Sequence, residues 1–82
     1  REELKDEYYW FGGLNDARQE AMIDISFNLG QTRLRGFKKA LDAMSTEDFD
    51  RAADEFMDSK WAEQVKGRAP EVTEMIRTGE YP

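Results

Sequence analysis

The segment from Asn15 to Gly30, "NDARQEAMIDISFNLG", constrains this chain more than any other. Ala17, Ala21, Ile25 and Leu29 recur every four residues with Met22 beside them, the spacing of one face of an α-helix. Asn15 or Asp16 supplies a side-chain acceptor for the helix start, and Gly30 supplies the stop. Ile23 and Phe27 carry apolar character beyond that face. A helix apolar over most of its circumference is expected at the centre of a domain, surrounded by neighbours. No useful stretch of the chain alternates with period two, and its prolines are Pro70 and Pro82. The expected fold class is therefore all-α, a compact bundle of short helices around the central apolar one.

The remaining segments fit that class. Arg1 to Lys5 reads as the frayed end of a helix, followed by a short aromatic stretch, "DEYYWF", that stops at Gly12-Gly13. "QTRLRGFKKALDAM" reads as a short turn to Gly36 and then a helix carrying Phe37, Ala40, Leu41 and Met44. "STEDFDRAADEFM" opens on Ser45 or Thr46 followed by acids, the pattern of a helix N-terminus, and sets Phe49, Ala52, Ala53 and Phe56 on one face. Ser59 starts a short turn, "SKWAEQV", and "GRAPEVTEMIRTGEY" is a last helix through Val72, Met75 and Ile76, ending at Gly79. At 82 residues this is a single domain with a thin core.

Composition removes whole classes of chemistry. Without cysteine there is neither a disulfide framework nor a thiolate metal site, and without histidine the commonest metal ligand and neutral-pH base are gone. No metal or cofactor is expected. A net charge of -6 argues against binding nucleic acid or an anionic membrane surface. No apolar stretch approaches the roughly 20 residues that span a bilayer. "REELKDEYYWF" lacks the apolar core of a signal peptide, and the absence of a first methionine suggests a processed chain or, with more weight, an excised piece of a longer one.

Few residues stand out as chemistry. Glu47, Asp48, Asp50, Asp54, Glu55 and Asp58 read as a solvated face rather than as raised-pKa acids. Asp24, inside the most apolar helix, is expected to pair with an arginine from another segment. Arg33, Arg35, Lys38 and Lys39 read as an exposed face, not a DNA-reading helix, and Tyr8, Tyr9, Trp10, Phe11 and Trp61 read as core rather than a sugar platform. Asn28, between Phe27 and Leu29, is consistent with either a local hydrogen bond at the helix end or a ligand contact.

Four blocks, "LNDARQEAMIDISFNLG", "LRGFKKAL", "AADEFMDSKWAEQVKGRA" and "IRTGEY", resemble in order and spacing the C-terminal lobe of the T-even phage type of lysozyme. The resemblance runs from about Leu14 to Tyr81. It implies that residues 1–13 are the end of an inter-lobe connecting helix plus a short aromatic helix, and that residues 14–82 are the lobe itself. It further implies an enzyme that cleaves the bond between N-acetylmuramic acid and N-acetylglucosamine in peptidoglycan, with its catalytic carboxylates on a second, N-terminal lobe outside this chain. None of the residues here is then catalytic, and the chain alone is expected to be inactive. Phe27, Asn28 and Leu29 would face the substrate, Lys60 and Glu55 would lie near its peptide stem, and Arg68 would support the absent catalytic glutamate. Trp61 and Gln64 would brace the helix turn. The implied partners are peptidoglycan and the N-terminal lobe. The implied location is the host cytoplasm before release to the cell wall. Without that lobe the segment from Tyr8 to Phe11 would be uncovered and available for self-association. The acidic balance departs from the usually basic family. A stand-alone helical module that binds cell wall or protein is the alternative.

Overall fold

Asn15 folds its side chain onto the backbone N–H of Arg18, which donates to Asn15 Oδ1 at 3.0 Å, so the long helix begins one residue later. The computed structural model describes the backbone of residues 2–81 and side chains from residue 4; Arg1, expected at a helix end, and Pro82 lie outside the described residues. Helix α1 (Glu2–Glu7) leads through a 3-10 turn (Phe11–Gly13) into α2 (Asp16–Leu29). There follow α3 (Gln31–Arg35), α4 (Lys38–Ser45), α5 (Phe49–Met57), α6 (Lys60–Gln64) and α7 (Ala69–Thr78). Among the described residues there is no strand. The all-α expectation holds.

The stop signals behave as their chemistry requires. Gly30 ends α2 at φ +81°, and Gly79 ends α7 in the left-handed region at φ +72°, a conformation that a Cβ would strain. Ser59 accepts from the N–H of Ala62 and donates to the carbonyl of Phe56, joining the end of α5 to the start of α6. Ser45 and Thr46 differ from expectation. Rather than opening α5, both hydroxyls donate back to the carbonyl of Asp42 at the end of α4. The N–H of Glu47 then bonds the carbonyl of Met44, and that of Asp48 bonds Ala43. This is a Schellman turn, and Glu47 occupies its left-handed position at φ +63° where glycine is usual. A run of Ser, Thr and acids reads as a helix start by side-chain chemistry alone; here the backbone uses it as a helix end.

The core gathers on α5, which lies against α4 on one side and α7 on the other. Ala52 and Ala53 let those helices approach closely, and Phe56 fills the space between. Phe56 stacks on Phe37 at 5.5 Å and meets the edge of Trp61 at 6.3 Å. Burying a side chain of that size contributes roughly 2–3 kcal/mol. From α2 come Met22 and Ile25, from α3 Leu34, from α7 Val72 and Ile76.

Helix α2 is covered on one side only. Ala17, Ala21, Met22, Ile25 and Leu29 are buried, whereas Ile23 is half-buried and Phe27 is 88% exposed. The additional apolar breadth read from the sequence therefore belongs to an uncovered surface, not to the core. The aromatic segment divides similarly. Phe11 is buried and Tyr8 and Trp10 are half-buried against each other, leaving Tyr9 at 87% exposure. The continuous sticky patch expected from Tyr8 to Phe11 is not formed, because three of its four rings are wholly or partly covered by the chain itself.

Candidate functional site

Helical spacing places Glu20, Ile23, Asp24 and Phe27 in a row along the uncovered side of α2. Facing them are Arg68, which caps α7, then Glu71 and Met75 within that helix, and Tyr81 beyond Gly79. Together these eight residues line an open groove of about 490 Å³. The half-buried Ile23 and the buried Met75 give it apolar lining, and the exposed ring of Phe27 stands at its rim. Three carboxylates and one guanidinium form the rim.

Asp24 organises that rim. Arg68 sends both Nε and Nη2 to Asp24 Oδ2, each at 2.6 Å. Asn28 Nδ2 donates to Asp24 Oδ1 at 3.0 Å and to the Asp24 carbonyl at 2.8 Å. Both carboxylate oxygens are therefore engaged, and the expected arginine partner of Asp24 is Arg68. The side chain of Asp24 is 20% exposed and that of Arg68 is 59% exposed. The pair sits at the solvent boundary, where an ion pair contributes at most about 1 kcal/mol. Its use is positional, since it fixes where the guanidinium and the Asn28 amide stand.

The residues expected to contact substrate do not assemble into one site. Phe27 lines the groove and Asn28 is exposed beside it, while Leu29 is 6% exposed and turned into the core. A side chain so placed cannot meet a ligand, because three successive helical residues point in directions about 100° apart. Glu55 is half-buried and lines a separate cavity of about 390 Å³ with Phe37, Lys38 and Ser59. Lys60 is exposed at the start of α6. Neither reaches the Phe27 groove. Arg68 reaches it, paired with a carboxylate of this same chain. Trp61 is buried and Gln64 exposed. Glu20, Ile23, Glu71, Met75 and Tyr81 also line the groove, although none stands out in the sequence as a site residue. The spacing Glu20–Ile23–Phe27 was a usable signal, but pairing α2 with α7 was not readable from either helix alone.

Among the described residues no group of three or more acidic side chains is placed to hold a metal ion. No helix among the described residues is long and apolar enough to cross a membrane.

No family model matches the chain. It is 38% identical over 66 residues to the pre-baseplate central spike protein Gp5 of Enterobacteria phage T4. That match covers 80% of this chain but only 12% of the length of the spike protein. The chain is thus related to part of a bacteriophage structural protein. This corrects the resemblance to the C-terminal lobe of the T-even phage type of lysozyme, since the match found is to part of a central spike protein. The physical reason lies in what the matching blocks encode. "FNLG", "SKWAEQVKGRA" and "RTGEY" carry helix ends and core contacts, at Gly30, Ser59, Trp61 and Gly79. Such features specify a helical unit and not the larger protein that carries it.

Proposed function

We propose that this chain is a helical lobe of a phage-particle protein that opens host peptidoglycan, and that the α2–α7 groove is one wall of its glycan cleft. The observation that carries this reading is the conjunction, on one rim, of the uncovered Phe27 ring with the ordered Arg68–Asp24–Asn28 chain. An aromatic face suits the C–H face of a sugar ring. The exposed edge of the Arg68 guanidinium, beyond the two nitrogens held by Asp24 and with Nη1 4.0 Å from Glu71, suits a carboxylate of the peptide stem or of a facing lobe. Relationship to a central spike protein supports the phage-particle setting.

Hydrolysis of the bond between N-acetylmuramic acid and N-acetylglucosamine needs a protonated carboxyl acid and usually a second carboxylate across the scissile bond. In the groove, Asp24 has both oxygens engaged, and Glu20 and Glu71 stand on the exposed rim rather than in an apolar pocket. Neither setting is the apolar pocket that prepares a carboxyl group for general-acid work. The lobe is therefore expected to grip the glycan while a facing lobe supplies the acid. Its place of action is the host cell wall, with neither nucleic acid nor membrane as a partner. Its net charge of -6 favours modest wall affinity.

The test is an NMR titration of the chain with a soluble disaccharide-peptide from peptidoglycan, run beside a turbidity assay on cell walls. Expected are shifts at Phe27, Asn28 and Arg68 and no clearing. Clearing by the chain alone, or a titration that leaves the groove silent, overturns the proposal.

A further inference from the structure

A second cavity, of about 420 Å³, opens at the other end of α2, between the 3-10 turn, the N-terminus of α2 and the turn from α4 to α5. Tyr9, Trp10, Asn15, Arg18, Glu47 and Phe49 form most of its lining, and it shares no residue with the Phe27 groove. We infer that this cavity is a saccharide-binding site, separate from the groove and independent of the function proposed for it.

Tyr9 presents a ring that is 87% exposed, beside the half-buried Trp10. Apolar rings left in water at the mouth of a cavity are suited to a ligand with a flat C–H face. The cation in the lining is largely committed to the fold. Arg18 Nε donates to the carbonyl of Ile76 at 2.7 Å and Nη2 to that of Arg77 at 3.2 Å, while its guanidinium carbon lies 3.7 Å over the Phe49 ring. Asn15 is engaged at both ends of its amide, accepting from Arg18 and donating to the Gly79 carbonyl at 2.8 Å.

The lining also carries Ser45, whose hydroxyl donates to the Asp42 carbonyl, and one carboxylate, that of Glu47. Glu47 stands at the left-handed position of the Schellman turn, where glycine would sit without strain. Backbone outliers of this kind gather at ligand sites. A carboxylate accepts hydrogen bonds and repels anions. Aromatic faces with the Glu47 carboxylate and the Ser45 hydroxyl disfavour an anion and suit the C–H faces and hydroxyl donors of a sugar ring. The volume accommodates one or two sugar rings, within the usual range of small-ligand sites.

The experiment titrates the isotopically labelled chain with neutral tri-N-acetylchitotriose and, in parallel, with tetramethylammonium. The sugar is expected to shift Tyr9, the Trp10 indole and Glu47. Tyr9→Ala is expected to weaken it about fivefold and Glu47→Gln about threefold. Glu47→Gly relieves the left-handed strain, so it should raise the melting temperature while weakening the sugar, which separates loss of the site from loss of the fold. A cavity that stays silent to the sugar, a response to tetramethylammonium alone, or undiminished binding by Glu47→Gly each overturns the inference. Ile23, Phe27 and Arg68 report on the other groove in the same spectra, so each reading stands or falls by its own signals.

Discussion

The two ends of the seam between α2 and α7 are built on opposite plans. Where α2 begins and α7 ends, Arg18 and Asn15 reach across to the carbonyls of Ile76, Arg77 and Gly79. A helix C-terminus leaves its last carbonyls without partners and carries partial negative charge, so a guanidinium there satisfies both needs. Farther along α2, where α7 begins, the helices are bridged by the solvent-edge pair Asp24–Arg68, and Phe27 stands uncovered. One end closes the fold with neutral acceptors that have nowhere else to turn. The other leaves apolar and charged groups facing outward, where they add little stability and are free to meet something else.

Substitutions can break this contrast. Arg18→Ala removes two hydrogen bonds to helix-end carbonyls and the contact over Phe49, and it is expected to cost about 2–3 kcal/mol in urea denaturation. A loss below about 1 kcal/mol would show that the closed end is no tighter than the open one. Gly79→Ala acts on the same end at about 1–2 kcal/mol. Its new Cβ would sit at φ +72° and 2.8 Å from both Arg18 Nη1 and Asn15 Nδ2, two groups held in place by their own bonds.

At the open end the expected order reverses. Arg68→Ala should change stability by less than about 1 kcal/mol, since the pair is exposed, while weakening the disaccharide-peptide measured by NMR. If stability falls as far as it does for Arg18→Ala, the rim is structural and the groove reading weakens. The smallest effect concerns the α1–α3 tether. Arg35 Nε and Nη2 meet Glu7 at 2.7 and 3.0 Å, and these hydrogen bonds hold the Glu7 carboxyl below its ordinary value of 4.5. A carboxyl lowered in the fold stabilises above its ordinary pKa and loses that contribution as pH falls through the lowered one. The melting-temperature difference between the native chain and Arg35→Ala should therefore be small at neutral pH and vanish in acid below that value. A difference that persists there would mean that Arg35 acts by packing.

Particular residues show how far local chemistry carries. Asn15, Gly30, Ser59 and Gly79 act at helix ends because each has a preference that needs no distant partner. Asp24 announced a partner through the cost of leaving a carboxylate unpaired among apolar residues, but not which arginine it was. Ser45 and Thr46 mislead because their hydroxyls serve either end of a helix, and only the backbone course through Glu47 chooses between them. The resemblance sets Leu29 beside the substrate with Phe27 and Asn28, whereas helical geometry sends it to the core.

The amino-acid order by itself determined the helical class, most helix boundaries and the buried faces, because periodicity and capping are short-range and each segment carries its own. The tertiary structure alone decided that α7 lies along α2, that Arg68 meets Asp24 and that Phe27 and Tyr9 remain in water. Those outcomes depend on how whole helices share one thin core. A residue's exposure is then set by what its neighbours leave uncovered, which no stretch of the chain encodes locally.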